Sequence, residues 1–223
     1  MQIILTTHSP YVLEELPKEA RIHIFEQDGE RQAMIGISPE FALSRMDEIS
    51  YPECEIYVED DAAKTLVSEM LSQKDPNLGF RVSITAFGAA SVGYQLGIMV
   101  AEKRWRRPVG VFLDGDCAPG RGCCILPGDD APERVVFEGL AEIRWGDLWT
   151  RLFRDLSSVA DACEASLALS DHHDWVPEAA KRLMIGGHVL WHAMCAEWVN
   201  KCLSGEEFAH AKHYLEDRFA EYT

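Results

Sequence analysis

The chain has 223 residues, a hydrophobic content of 47% and a formal net charge of −16. This composition excludes global disorder, and the sequence holds no run of the roughly 18 to 20 apolar residues that a membrane span requires. The acidic excess argues against an unaided grip on a nucleic-acid backbone, because affinity for phosphates comes largely from Lys and Arg. A polyanionic substrate would need bound metal ions, a local basic patch or another subunit.

The cysteines and the first residues both favour a cytoplasmic protein. The seven cysteines are odd in number and scattered, which is typical of reduced core thiols. The amino-terminal residues lack the basic segment of a secretory leader. We therefore expect a cytoplasmic location and no membrane partner.

The first fifty residues predict a strand, a short helix and a hairpin. An apolar run over 2–6 predicts a buried strand, and a Ser-Pro pair then predicts a helix over 9–16. Apolar stretches at 22–25 and 33–37 flank an Asp-Gly pair, which is typical of a hairpin turn. A further short helix is expected over 39–46.

From residue 54 onwards, strand and helix patterns alternate. Strands are predicted at 54–58, 80–86 and 109–114, and helices at 60–73 and 90–102. This order predicts a parallel sheet joined by right-handed crossovers. Such crossovers place the carboxyl ends of all three strands on one edge of the sheet.

Beyond Pro127 the strand pattern stops and helical patterns follow. The predicted helices span 132–140, 145–156, 158–168, 176–184, 188–202 and 206–221. We interpret them as a helical cap on the sheet. The expected fold class is therefore α/β, a parallel sheet with flanking helices, an N-terminal strand and hairpin segment, and a C-terminal helical cap.

Three carboxylates follow two of the predicted strands. Glu59 closes the first strand of the alternating unit, and Asp114 and Asp116 close the third. Carboxylates repel one another unless a proton or cation intervenes, and Mg²⁺ is usually held by one or two of them. The pattern predicts a divalent-metal site for phosphoryl transfer. The alternative is that Asp60 and Asp61 cap a helix while the later aspartates make a turn.

Motifs at the strand ends resemble the Toprim fold of topoisomerases, primases and related nucleases. These motifs are Val58-Glu59, Phe87-Gly88-Ala89-Ala90-Ser91 and Leu113-Asp114-Gly115-Asp116. Upstream, the segment 4–10 resembles the last strand and switch histidine of an ABC-type ATPase. Together they resemble the "overcoming lysogenisation defect" (OLD) family of ATP-dependent nucleases. The segments 126–133 and 171–175 also look like bacterial members of that family.

The resemblance implies a domain organisation and an activity. Residues 1–50 would be the tail end of an ABC-type ATPase domain, 51–140 the Toprim catalytic core, and 141–223 a helical portion packed on that core. The activity would be nicking or cleavage of DNA with two Mg²⁺ or Mn²⁺ ions. The sequence has no GxxxxGK[ST] phosphate loop. We therefore expect three features only together with an upstream ATPase domain. They are bound ATP, its switch histidine His8, and a homodimer formed through that domain.

The resemblance also assigns roles to the acids. Asp114 and Asp116 would be metal ligands, and Glu59 would be either a ligand or the general acid/base. Glu133 would be a further ligand. Ala63 stands where the family commonly has a second acid. Asp60 or Asp61 would have to replace that acid as a ligand.

Basic residues complete the predicted site. The family uses a late lysine near the scissile phosphate, for which the candidates are Lys181, Lys201 and Lys212. Lys181 is favoured as the catalytic lysine because it follows the His172-His173 segment. The basic run 103–107 lies at the amino end of its strand, about 20 Å from Asp114. It could hold flanking DNA through Arg104, Arg106 and Arg107, and a solvated surface is the alternative.

Other interpretations stay open at this point. A catalytically silent Toprim module for interaction or dimerisation is motivated by Ala63 and the acidic surface. A phospho-receiver domain shares the strand order, but it needs Ser/Thr and Lys after two later strands, where this sequence turns helical. A zinc site is conceivable because His188, His192 and Cys195 share a predicted helix face, although core packing explains Cys195 equally well.

Overall fold

The computed structural model describes residues 3–7, 9–27, 30–44 and 52–222. The amino-terminal part forms helix α1 (Pro10–Glu14), strands β1 (Ile22–Gln27) and β2 (Glu30–Ile35), and helix α2 (Pro39–Ser44). Strands β1 and β2 pair antiparallel over their whole length. The predicted hairpin is therefore confirmed, and its Met34 and Phe25 side chains pack in a small core with α2.

The buried strand predicted for residues 2–6 is wrong over the described residues 3–6. These residues have no regular secondary structure, and the side chains of Ile3, Ile4 and Leu5 are 76%, 83% and 63% exposed. A strand needs a neighbour that satisfies its backbone N–H and C=O groups, and no strand in the described ranges pairs with this segment. Helix α1 is also shorter than predicted. The predicted switch residue, His8, lies outside the described residues.

A parallel sheet forms the centre of the remaining chain. Its strands are β3 (Cys54–Val58), β4 (Val82–Ala86), β5 (Val109–Leu113) and the short β6 (Cys124–Ile125), in the order β4-β3-β5-β6. Every neighbouring pair is parallel. The predicted α/β class with a parallel sheet is confirmed. Strand β6 escaped prediction because two residues give no detectable period.

Helices connect the strands and then take over the chain. The connecting helices are α3 (Asp61–Lys74), α4 (Pro76–Gly79) and α5 (Ala90–Ala101). The later helices are α6 (Pro132–Glu142), α7 (Leu148–Arg151), α8 (Leu156–Leu167), α9 (Trp175–Leu183), α10 (Gly187–Lys201) and α11 (Gly205–Ala220). A 3₁₀ turn at His172–Asp174 leads into α9. No helix of the described residues is long and apolar enough to cross a membrane.

The single helix predicted over 145–156 is wrong. The backbone φ angle is positive at Arg144, Trp145 and Phe153, so helical geometry breaks at both ends of the short helix α7. A buried side chain contacts the backbone at the first break. The N–H of Asp147, directly before α7, donates to the Glu197 carboxylate at 2.8 Å.

Sheet and helical cap share one hydrophobic core. Helix α3 begins where the Asp60 side chain accepts from the Ala63 N–H at 2.8 Å, which is a typical N-cap. Its apolar positions, spaced by three and four, are all buried: Ala63, Leu66, Val67, Met70 and Leu71. They pack between the sheet and α10. Burial of each large side chain contributes about 1.5 to 3 kcal/mol. This core holds the carboxyl edge of the sheet in place.

Candidate metal centre at the carboxyl edge of the sheet

The register of β3 and β5 brings acids from two strands together. Tyr57 lies opposite Val111 in this parallel pair. The two strands end at Val58 and Leu113, so Glu59-Asp60 and Asp114 follow them directly. The electrostatics agree, because Asp60 exerts the largest charge effect on Asp114, followed by Glu59. The sequence prediction that these strand ends converge on one edge therefore holds in the structure.

Asp114 is the most constrained of these acids. Its side chain is 9% exposed, and its Oδ1 is buried without a hydrogen-bond partner in the described part of the chain. Burial, together with the neighbouring negative charges of Asp60, Glu59, Asp116 and Glu133, raises the pKa of Asp114 to about 7. A cation beside it would relieve both the burial of the charge and the repulsion.

Glu59 is positioned by the second Toprim-like motif. The N–H of Ala90, in the first turn of α5, donates to Glu59 Oε1 at 3.2 Å, and the N–H of Gly88 donates to the Glu59 carbonyl at 2.8 Å. Burial raises the pKa of Glu59, as do the charges of Asp60 and Asp116, while the Ala90 N–H opposes the shift. The side chain is therefore fixed by a helix N-terminus.

Close backbone packing brings a further loop to the site. A Cβ on Gly115 would lie 2.3 Å from the Gly128 carbonyl oxygen and 2.7 Å from that of Asp130, so only glycine fits. The loop then enters α6, whose first turn carries Glu133 at 8% exposure. Asp116 lies on the other side of Gly115 and is exposed. The structure thus brings Asp116 and Glu133 within electrostatic reach of Asp114.

Of the two proposed substitutes for an acid at Ala63, the structure brings Asp60 to the cluster. Asp61 is exposed on α3 and does not contribute to the raised pKa of Asp114 or Glu59. Ala63 itself is fully buried in the core.

The acids surround the edge without meeting at one point. Groups of three ligand atoms within 4.8 Å of one another occur in the described ranges at Glu133, His172 and His173 alone, and no three acids of the edge meet this limit. The described acids therefore do not form a preassembled set of three ligands for one ion.

The predicted lysines make contacts away from these acids. Lys181 is mostly exposed, with its Nζ 4.0 Å from Glu178. The other two form ion pairs, Lys201 with Asp147 at 2.9 Å and Lys212 with Asp75 at 2.6 Å. Asp75 precedes β4 and so lies at the amino side of the sheet. In the described residues, none of the three lysines contacts the acids at the carboxyl edge of the sheet. The catalytic role of Lys181 stays a prediction.

The basic run lies at the amino end of β5, as predicted. Arg104 pairs with Glu102 at 2.8 Å, and Arg107 pairs with Glu55 at 3.3 Å. Arg106 and Arg107 line a cleft that Lys18 and Arg21 also border. This cleft is on the edge of the sheet opposite the acids, so it does not contribute to their site.

The sequence reasoning missed the histidine pair that accompanies Glu133. The signal was available, because two adjacent histidines precede α9 and lie close to the buried Trp175 at its start. The zinc candidates considered instead do not converge: Cys195 is fully buried, and His192 contacts Glu69 at 3.4 Å.

No protein-family model and no curated protein matches the chain. Three solved structures of the C-terminal region of the Xanthomonas campestris pv. campestris OLD protein are similar to it. The structure phased with mercury has a TM-score of 0.46 at 14% identity and covers 78% of this chain and 98% of that one. The structure phased with platinum has a TM-score of 0.42 at 13% identity and covers 76% of this chain and 95% of that one. The similarity is one of fold, to the C-terminal region of that protein.

Proposed function

We propose that the carboxyl edge of the sheet is a divalent-metal site that hydrolyses DNA phosphodiester bonds, in an OLD-like ATPase-nuclease. The observation that supports this most strongly is Asp114, a nearly buried carboxylate with an unpartnered oxygen and acids around it. Strongly perturbed acids in such a setting are candidates for functional groups.

The donor set fits Mg²⁺ or Mn²⁺. All the groups at the edge are hard carboxylate oxygens, and Asp114 Oδ1 has lone pairs that no described hydrogen-bond donor uses. Asp60, Asp114 and Asp116 would hold the ions, and Glu59 would be either a further ligand or the general acid/base. When bound, these ions supply Lewis-acid activation of the phosphate and neutralise its charge. They would also offset the net charge of −16, which otherwise repels DNA.

Glu59 is the group best suited to proton transfer. Its pKa is raised by burial, so it keeps a proton to a higher pH than an ordinary glutamate. The Ala90 N–H holds one of its oxygens and leaves the other available. Lys181 would act near the scissile phosphate, and Arg104, Arg106 and Arg107 would contact flanking DNA. ATP, the switch residue His8 and homodimerisation belong to the longer ATPase-nuclease.

Cleavage of supercoiled plasmid tests the proposal. With Mg²⁺ or Mn²⁺ we expect nicked or linear product, and Asp114→Asn should lower the rate at least about 100-fold, since loss of even an outer-shell group costs 10- to 100-fold. Asp161→Asn is the matched control, because Asp161 is an exposed acid on α8. Equal cleavage by wild type and Asp114→Asn would refute the assignment.

A silent interaction module is the second candidate. It is favoured by the buried Ala63 and by the absence of three edge acids within the span of one ion, among the described residues. A folded wild-type protein that cleaves nothing with any divalent ion would support this module. A phospho-receiver fits less well, because β5 is followed only by the two-residue β6 before the chain turns helical.

A further inference from the structure

Glu133, His172 and His173 form the tightest group of metal-ligating atoms in the described parts of the chain. One ligand atom from each lies within 4.8 Å of the other two. His173 Nδ1 and Glu133 Oε1 are 3.5 Å apart. Two ligands of a tetrahedral ion with bonds of about 2.0 to 2.1 Å lie roughly 3.3 Å apart. One edge of such a coordination shell is therefore nearly formed.

The backbone of a 3₁₀ turn does not by itself bring two adjacent imidazole rings together. His172 and His173 are adjacent in a 3₁₀ turn, where successive side chains point about a third of a turn apart. Their ring centroids are nevertheless only 4.0 Å apart. The Asp171 side chain accepts from the His173 N–H at 3.0 Å and fixes the start of the turn. Both rings thus lie on the side of Glu133.

Glu133 needs a cationic partner. Its carboxylate is 8% exposed in the first turn of α6, and a buried charge is costly unless it is paired. In the described part of the chain its ion pair is with His173, whose side chain is 65% exposed. The His172 ring contacts the His173 ring at 4.0 Å and the edge of the Trp175 ring at 6.3 Å, so both imidazoles are held beside Glu133.

We propose that Glu133, His172 and His173 bind a transition-metal ion such as Zn²⁺, at a site separate from the ions held by Asp114. Imidazole nitrogen favours Zn²⁺ and similar metals, whereas all-oxygen sites suit Mg²⁺. Two His and one Glu are a ligand set of catalytic zinc sites, which keep a further coordination position open. This assignment takes Glu133 out of the all-oxygen set. It does not rest on DNA cleavage, because metal binding at these ligands needs no substrate.

The proximity of the two sites follows from Glu133. Its charge acts on Asp114, while its oxygen contacts His173. A Zn²⁺ ion here would neutralise a charge that Asp114 otherwise experiences. Occupancy of the site should therefore leave the acids at the edge of the sheet available to Mg²⁺.

Cobalt titration of the full, tag-free chain tests this site. Co²⁺ replaces Zn²⁺ and gives visible absorption bands when nitrogen ligands bind it in a four-coordinate site. We expect one equivalent per chain to produce these bands, with Zn²⁺ bleaching them. His173→Gln should weaken cobalt binding at least about 10-fold and His172→Ala/His173→Ala should abolish the bands. His173 is largely exposed, so its replacement should not affect folding.

Two control variants separate this site from its rivals. His188→Ala/His192→Ala removes another exposed histidine pair, and Asp114→Asn alters the acids. Both should keep the cobalt bands. The proposal is overturned if wild type gives no bands, if His173→Gln binds cobalt as wild type does, or if either control loses the bands. Magnesium-dependent plasmid cleavage is scored separately, so the nuclease proposal can fail while this one stands.

Discussion

Asp114 and Glu197 are both buried acids, yet their surroundings differ completely. Glu197 lies on α10 with no exposed surface, and it accepts hydrogen bonds from Arg151 Nε at 2.7 Å and from the Asp147 N–H at 2.8 Å. Asp114 has a buried oxygen with no hydrogen-bond partner in the described residues, and the charges that raise its pKa are those of further acids. Similar burial is thus compensated in one place and left uncompensated in the other.

The difference separates a structural carboxylate from a candidate functional one. Glu197 needs nothing from outside the chain, because a guanidinium and a backbone N–H satisfy its charge. Asp114 is costly to ionise as long as no cation binds beside it. A fold retains such a group when something else depends on it, which is the physical basis for placing the metal site at Asp114.

The largest stability effect should come from breaking the compensated acid. Arg151→Met leaves the Glu197 charge buried beside one N–H, and removal of one partner of a buried pair costs about 3 to 5 kcal/mol. Urea unfolding at pH 7 measures this loss. Arg154→Met is the matched control, since Arg154 contacts only the Phe153 carbonyl among the described residues. A loss below about 1 kcal/mol would mean that Glu197 is not a structural anchor.

Asp114→Asn should do the opposite and stabilise the metal-free protein above neutral pH. The unfolded carboxyl releases its proton near pH 4, whereas folded Asp114 keeps it until about pH 7. Between these values the folded state binds more protons, so the unfolding free energy of wild type falls as pH rises. The variant should thus gain about 2 to 4 kcal/mol over wild type at pH 8, and almost nothing at pH 4.

Thermal unfolding across pH, with Asp161→Asn as reference, measures this gain. Added Mg²⁺ should stabilise wild type at pH 8 by binding the folded state, and so shrink the advantage of Asp114→Asn. A difference between the two proteins that stays flat from pH 4 to pH 8 would contradict the uncompensated burial of Asp114.

Gly115→Ala should have a smaller effect on stability. The new Cβ would meet the Gly128 carbonyl at 2.3 Å, and overpacking of this kind typically costs about 1 to 3 kcal/mol. Cleavage should fall as well, because the clash displaces the loop that leads to Glu133. Gly205→Ala is the control, since a Cβ there meets nothing within 4 Å. Equal stability of the two variants would show that the loop is not held by this contact.

The smallest stability effect is expected at Asp60, where we expect Mg²⁺ binding to change while stability stays nearly the same. Asparagine caps a helix about as well as aspartate, so Asp60→Asn should alter stability by less than about 0.5 kcal/mol. It should nevertheless weaken Mg²⁺ binding, because Asp60 is the acid with the largest charge effect on Asp114. Asp61→Asn should change neither. Equal Mg²⁺ affinities for both variants would remove Asp60 from the site.

The sheet and its acidic edge were predictable because local patterns determine them. Alternating apolar runs define β3, β4 and β5, and parallel crossovers alone require that Glu59 and Asp114 share an edge. The choice of Asp60 over Asp61 was not predictable, since it depends on which residue caps α3. Asp60 turns towards β5 because it caps, while Asp61 is already on the exposed face of the helix.

Features set by distant residues escaped prediction. The Asp147 N–H, directly before α7, donates to Glu197, which lies 50 residues further along the chain. The grouping of Glu133 with the two histidines joins α6 to the turn before α9. Sequence periods describe one element at a time, so contacts of this kind appear only in the folded chain.

Calorimetric titration with Mg²⁺ at pH 8 tests the central claim most directly, because Mg²⁺ prefers oxygen ligands and protons no longer compete. Wild type and Asp161→Asn should bind Mg²⁺ with the same affinity, and Asp114→Asn should bind it at least about 10-fold more weakly. Equal affinities for wild type and Asp114→Asn, or no binding by wild type, would contradict a metal site at the carboxyl edge of the sheet.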